Sequence, residues 1–278
     1  MDLRLKVGSY YPSLTKSEQK VADYVLNASE DIIYRSVTEL AELSAVGETT
    51  VMRFCRAIGF KGYQDFKLAL AQDYSPRRQQ ESGGHSDAAP DDYAELVYRE
   101  TTSILADTMS LLDRARLEEA VARMDAAGYV QFFGVGASGI TALDAKNRLL
   151  RIGRRAEAVA DAHFQAMMAV TMGPGDVAFG ISLSGSTLDT VDMLTKARQQ
   201  GAYVIAMTNY AKSPITAAAD LVLLTAGKES PLEGGSIGAK ISQLLLIDMI
   251  CEGLARLDLA RTREMKERTA KAVIERIY

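Results

Sequence analysis

The stretch YVQFFGVGASGI, residues 129–140, joins a short apolar run to the turn Gly134-x-Gly136-x-x-Gly139. Glycines in that spacing let a chain leave a strand, turn sharply and open a helix whose first N–H groups face an anion. The spacing alone does not say which anion. A dinucleotide site also uses an acidic residue about 20 positions on, and Asp161 stands near that place. A second turn weighs against the dinucleotide. In ISLSGSTLDT, residues 181–190, Ser182, Ser184, Ser186 and Thr187 surround Gly185 directly before a helical pattern begins. Hydroxyls, backbone N–H groups and a helix N-terminus together suit a compact dianion such as a phosphate monoester. A dinucleotide's pyrophosphate would occupy only the first turn. A sugar phosphate uses both, with its phosphate in the serine turn and its hydroxyls near Ser138, beside Gly136. The serine turn has neither a G-x-S-x-G elbow nor a nearby His–Asp pair, so it does not read as a nucleophile.

Outward from these turns, YVQFFGV, AEAVA, DVAFGISL, AYVIAMT and DLVLLTA are apolar runs of strand length separated by helix-length stretches. That alternation predicts βαβ units and a parallel sheet covered on both faces, an αβα sandwich. The two turns then follow the first and third strands at their carboxyl ends, where such sheets bind ligands. His163 follows the second strand, Lys240 opens the last long helix in GGSIGAK, and Glu229 lies in the loop before it. These three offer donors and an acceptor to the far end of a sugar. Polar groups matched to a ligand atom reject analogues that leave them unpaired. An amino-sugar or acyl-amino-sugar 6-phosphate is therefore expected over a plain pentose phosphate. The helix ISQLLLIDMICEGLARL, residues 241–257, is apolar over a wide arc, and a second subunit is the expected cover for one side.

Residues 75–91, SPRRQQESGGHSDAAPD, contain no aliphatic side chain larger than Ala and read as a linker. They divide a unit at 1–74 from one at 92–278. In the first, Thr15 and Glu18 form a capping box for a helix bearing Val21 and Val25 on one face. SVTELAELSAVGETTVMRFCRAIGF then reads as two short helices around a tight turn, a helix-turn-helix with Ala41 where they cross and Leu40, Val46, Val51 and Phe54 as the shared core. The second helix would present Thr49, Thr50, Arg53 and Arg56 to a DNA major groove, and Lys61 and Tyr63, with Lys67, would hold the backbone. An ordinary helical hairpin with a solvated basic face would show the same pattern.

The whole chain of 278 residues carries a net charge of −4, which excludes a global field for nucleic acid or anionic lipid but leaves local patches. No apolar run is long enough to span a bilayer, and the first residues lack the apolar core of a secretion signal. A cytoplasmic protein with no membrane association is expected. Cys55 and Cys251 sit in apolar helical patterns, and two isolated histidines complete no zinc set, so no metal or cofactor is expected.

FFGVGASG followed by ISLSGST, with GGSIGAKISQLLLIDMI beyond, resembles a sugar isomerase (SIS) domain. Joined to VTELAELSAVGETTVMRFCRAIGFKGYQDFK, the chain is similar to the RpiR/MurR family of bacterial transcription regulators. The resemblance implies an α-helical helix-turn-helix domain followed by an SIS-like α/β domain, a homodimer or tetramer, and Ser138, Ser182, Ser184 and Thr187 as phosphosugar ligands. It implies binding to double-stranded operator DNA, as a repressor of sugar or amino-sugar catabolism whose affinity a phosphosugar effector controls, with no catalytic residues. Gly47 departs from the serine that often caps the family's recognition helix. Two rivals share these features: a ketose–aldose phosphosugar isomerase with His163 or Glu229 as base, and an NAD-binding protein.

Overall fold

Apolar residues every three to four positions fold the first part of the chain into helices α1 (Leu3–Tyr10), α2 (Lys16–Asn27), α3 (Val37–Leu43), α4 (Glu48–Ala57) and α5 (Tyr63–Glu81). The computed structural model describes residues 3–27, 30–81, 93–227 and 237–274. The chain divides into two compact units that part between Arg99 and Glu100. In the first unit the Thr15 N–H donates to Glu18 Oε2 at 2.9 Å and the Glu18 N–H to Thr15 Oγ1 at 3.4 Å, the capping box read from sequence. Leu40, Val51, Phe54 and Ile58 are fully buried, joined by Leu3 and Val7 of α1, a helix the sequence reading did not include. The backbone of α5 continues to Glu81, so the first seven residues expected as linker are helical.

The second unit begins on α6 (Tyr93–Leu111) and continues through α7 (Arg114–Ala126), β1 (Tyr129–Phe133), α8 (Gly136–Arg151), β2 (Ala156–Ala158), α9 (Ala162–Thr171), β3 (Asp176–Ile181) and α10 (Leu188–Gln199). It ends with β4 (Tyr203–Thr208), α11 (Pro214–Ala218), β5 (Leu221–Leu224), α12 (Ile237–Leu257) and α13 (Leu259–Ile274). The strands form one parallel sheet in the order β2-β1-β3-β4-β5. Side chains alternate across it with the period of the pleat. Val130, Phe132, Val177, Phe179, Ile205 and Leu223 pack under α7, α8 and α12, while Phe133, Ala178, Val204 and Ala206 pack under α9, α10 and α11. Gly180 lets α10 approach: a Cβ there would lie 2.3 Å from Leu194.

The five strands and the αβα layering are those expected from the sequence. Leu246, Ile247, Ile250 and Leu254 of α12 belong to the sheet's own core, and α7, α8 and α13 of the same chain pack on this helix.

Candidate functional site

At the carboxyl edge of the sheet, β1 and β3 end side by side, with Phe133 opposite Gly180. Gly134 is squeezed between the two turns. A Cβ there would lie 3.1 Å from the backbone of Ser138 and 3.2 Å from the carbonyl oxygen of Ile181, just before Ser182. Gly139 packs back on Gly134, its Cβ position 3.0 Å from that carbonyl oxygen, and Gly136 takes the left-handed φ of +58° that opens α8. The three glycines therefore bring the first turn against the serine turn. Nothing in that role requires a dinucleotide. Asp161, the residue expected near a ribose, instead caps α9, accepting the Phe164 N–H at 2.9 Å through Oδ1.

The serine turn is a shaped donor surface. Ser182 is buried, and its hydroxyl lies 2.9 Å from Thr187 Oγ1. A hydroxyl has one proton to donate, so this pair keeps one O–H for a third group. Ser184 Oγ accepts the Ser186 N–H at 3.2 Å and retains its own proton, whereas Ser186 Oγ donates to the Ser184 carbonyl at 3.2 Å. Thr187 ends the turn without capping α10 by its side chain, and no described acceptor meets the N–H of Leu188 or Asp189. Val135 likewise leaves α8 uncapped by a side chain. Two helix N-termini and the free hydroxyl protons thus flank the paired turns, and each helix end carries a partial positive charge.

The turn is held from beneath by residues that sequence reading did not single out. The Ser182 N–H donates to Met207, the Asn209 N–H and Thr208 Oγ1 both donate to the Leu183 carbonyl at 3.1 Å, and the Ile215 N–H donates to Gly185 at 2.9 Å. Gly185 has φ +62°, and a Cβ on it would sit 2.1 Å from Ser213 Oγ. Lys240 reaches the first turn, its Nζ donating to the Ala137 carbonyl at 3.1 Å. His163, the second residue of α9, is exposed and forms no hydrogen bond with either turn among the described residues. Glu229 lies outside the described residues.

In the first unit, the turn between α3 and α4 passes through Ala45 at φ +52° to Gly47, which begins α4 without a side-chain cap. Thr38 Oγ1 donates to the Glu48 carboxylate across the two helices. Thr49, Arg53, Arg56 and Lys61 are exposed as expected. Thr50 and Tyr63 are not. Thr50 turns into the helix pair, where its Oγ1 accepts from Arg53 Nη2 at 3.3 Å. Tyr63 is buried against Phe66, its hydroxyl donating to the Arg35 carbonyl at 2.9 Å, and Lys67 Nζ donates to the same oxygen at 3.0 Å. Both belong to the core because α5 leaves the α4 turn with these positions facing inward.

Comparison with known proteins places this geometry. Residues 1–77 match the helix-turn-helix domain of the rpiR family, and residues 125–252 match the SIS domain. An HTH-type transcriptional regulator of Haemophilus influenzae is 39% identical over 275 residues, covering 97% of this chain and 96% of that one. YbbH of Bacillus subtilis, another HTH-type transcriptional regulator, is 32% identical over 96% of this chain and 95% of its own. Among solved structures, the Vibrio vulnificus NanR protein complexed with ManNAc-6P superposes with a TM-score of 0.88, at 32% identity, over 99% of both chains. The chain belongs to the rpiR family of HTH-type transcriptional regulators, with an SIS domain as its second part. A phosphoheptose isomerase of Francisella tularensis, 17% identical over 61% of this chain and all of its own, with a TM-score of 0.53, shares the SIS fold alone.

Proposed function

We propose that this regulator binds operator DNA through α4 and that a phosphosugar held between the turns at 134–138 and 182–187 sets its affinity. One observation carries the reading: Gly134 brings the two turns into contact where free hydroxyl protons and two uncapped helix N-termini converge. The phosphate sits on Ser182, Ser184, Gly185 and Thr187. The sugar lies toward Gly136, Ser138 and Lys240, with His163 and Glu229 at its far end. NanR, which superposes over 99% of the chain, is complexed with ManNAc-6P, and this supports an amino-sugar 6-phosphate as effector. On the DNA side, Thr49 and Arg53 face base edges while Arg56 and Lys61 meet phosphates.

In this reading the protein is a repressor of amino-sugar catabolism and acts in the cytoplasm as a homodimer or tetramer. It has no catalytic step, so the bound sugar leaves unchanged. Residues 1–74 and 92–278 serve as the DNA-binding and effector domains. A thermal-shift series over phosphosugars tests the effector class, because a ligand of the folded state raises Tm by mass action. N-Acetylated hexosamine 6-phosphates should raise Tm well above what pentose phosphates or inorganic phosphate achieve. Equal shifts for all of them would remove the sugar end of the site from the account.

A further inference from the structure

The first turn of α8 faces the candidate effector site, and its last turn lies at the opposite, amino edge of the sheet. Sixteen residues at about 1.5 Å each separate the two ends by roughly 20 Å. At that far end α8, α12 and α13 line an open hollow of about 680 Å³, within the usual size of a small-molecule site. Four cations, Arg148, Arg151, Arg256 and Lys266, line it against two carboxylates, Asp248 and Glu252.

The pairing among them is uneven. Arg148 is committed twice, with Nε 2.5 Å from Asp144 and Nη1 2.6 Å from Asp248. Arg256 Nε holds Glu252 at 2.8 Å. Each lining carboxylate therefore already has a cation partner. Arg151 and Lys266 are exposed and form no ion pair among the described residues. A cation in the last turn of α8 answers the helix dipole, which accounts for Arg151. It accounts neither for Lys266, midway along α13, nor for the hollow between them.

We propose that this hollow is a second anion site, separate from the serine turn. It takes a small organic anion carrying at least two carboxylate or phosphate charges, gripped by Arg151 from α8 and Lys266 from α13. The ligand's carbon frame rests on the apolar floor of Ile152 and Ala255. Occupancy ties α13 to α8 across the hollow.

Calorimetric titration of the full chain with citrate, and with acetate at equal ionic strength, tests the site. Citrate should bind saturably and acetate should not. Arg151→Gln with Lys266→Gln should weaken citrate roughly ten-fold, since each exposed ion contact contributes a few-fold. Both side chains are exposed, so the fold should survive. Should circular dichroism show otherwise, Lys266→Gln alone must still weaken citrate a few-fold. Ser184→Ala should leave the citrate titration unchanged. Three results overturn the proposal: equal citrate affinity in wild type and the double variant, no saturable heat up to about 10 mM citrate, or loss of citrate binding in Ser184→Ala.

Discussion

The buried side chain of Gln165 clamps the backbone of Gly134, its Nε2 donating to the Gly134 carbonyl at 2.9 Å and its Oε1 accepting the Gly134 N–H at 3.4 Å. The same Nε2 donates to the Val159 carbonyl at 2.9 Å, so one amide from α9 fixes both the first turn and the end of β2. Gln165→Leu keeps the volume and leaves these backbone groups unpaired in the interior. A buried polar group left unpaired costs about 1–3 kcal/mol. Denaturant unfolding should show a loss of at least that size, and effector affinity should fall because the turn is no longer pinned. An unchanged midpoint would mean that Gln165 does not position the site.

Gly185 and Ser213 test the serine turn from below. Gly185→Ala imposes a side chain at φ +62° and drives its Cβ to 2.1 Å from Ser213 Oγ. Strain of this kind costs roughly 1–3 kcal/mol, and the turn must shift away from the β4–α11 segment. Phosphosugar affinity should drop sharply in Gly185→Ala, and Ser213→Gly should restore part of it by removing the clash. No rescue by the second substitution would show that φ alone, not the close approach, selects glycine.

Tyr63 and Arg53 separate a core residue from a DNA contact. Tyr63→Phe removes one hydrogen bond to the Arg35 carbonyl, which Lys67 still satisfies, so stability should fall by only about 1 kcal/mol with operator affinity unchanged. Arg53→Ala should relax sequence preference by about 1–3 kcal/mol per half-site, whereas Lys61→Ala should weaken all sequences and flatten the salt slope. Gel-shift titrations at several salt concentrations distinguish these outcomes. A Tyr63→Phe protein that folds and loses the operator would return that residue to the interface.

Both thiols are buried, and burial pushes Cys55 and Cys251 up to about 12. The fold thus favours the neutral thiol, a contribution present in full below the ordinary pKa of 9.0 and lost as pH rises toward 12. Tyr129 and Tyr203, raised by burial to about 12, add to the loss above pH 10. Tm should fall steadily from pH 9 upward, and alkylation of the native protein at pH 8 should be far slower than of the unfolded chain. Rapid labelling of Cys55 in the native state would contradict its burial.

The sheet was legible because each strand is a run of apolar residues bounded by turn chemistry, and the two turns stand out by glycine and hydroxyl content. Other features depend on tertiary contacts that no local pattern carries. Nothing around Gln165 announces that its amide closes on Gly134, 31 residues away, nor that Ser213 sits under Gly185. Thr50 and Tyr63 are amphipathic, and only the direction of α4 and α5 decides that they face inward. The helix α7 was readable in retrospect. Asp113 caps it through the Ala115 and Arg116 N–H groups, and Leu117, Ala120, Val121 and Met124 follow with helical spacing. The arc of α12 reads as needing cover, and the sheet with α7, α8 and α13 supplies it for Leu246, Ile247, Ile250 and Leu254.

The central claim is that one phosphosugar, seated on the serine turn, changes the hold on DNA. Fluorescence anisotropy of a labelled operator, titrated with the full chain with and without an N-acetylated hexosamine 6-phosphate, measures that coupling directly. Wild-type protein should shift its operator affinity by at least about five-fold, the lower end of ordinary allosteric coupling. Ser184→Ala should bind the operator as wild type does and need roughly 10- to 100-fold more sugar for the same shift, the loss expected from one hydrogen bond to a charged oxygen. An operator affinity indifferent to the sugar, or an identical sugar response in Ser184→Ala, would contradict the account.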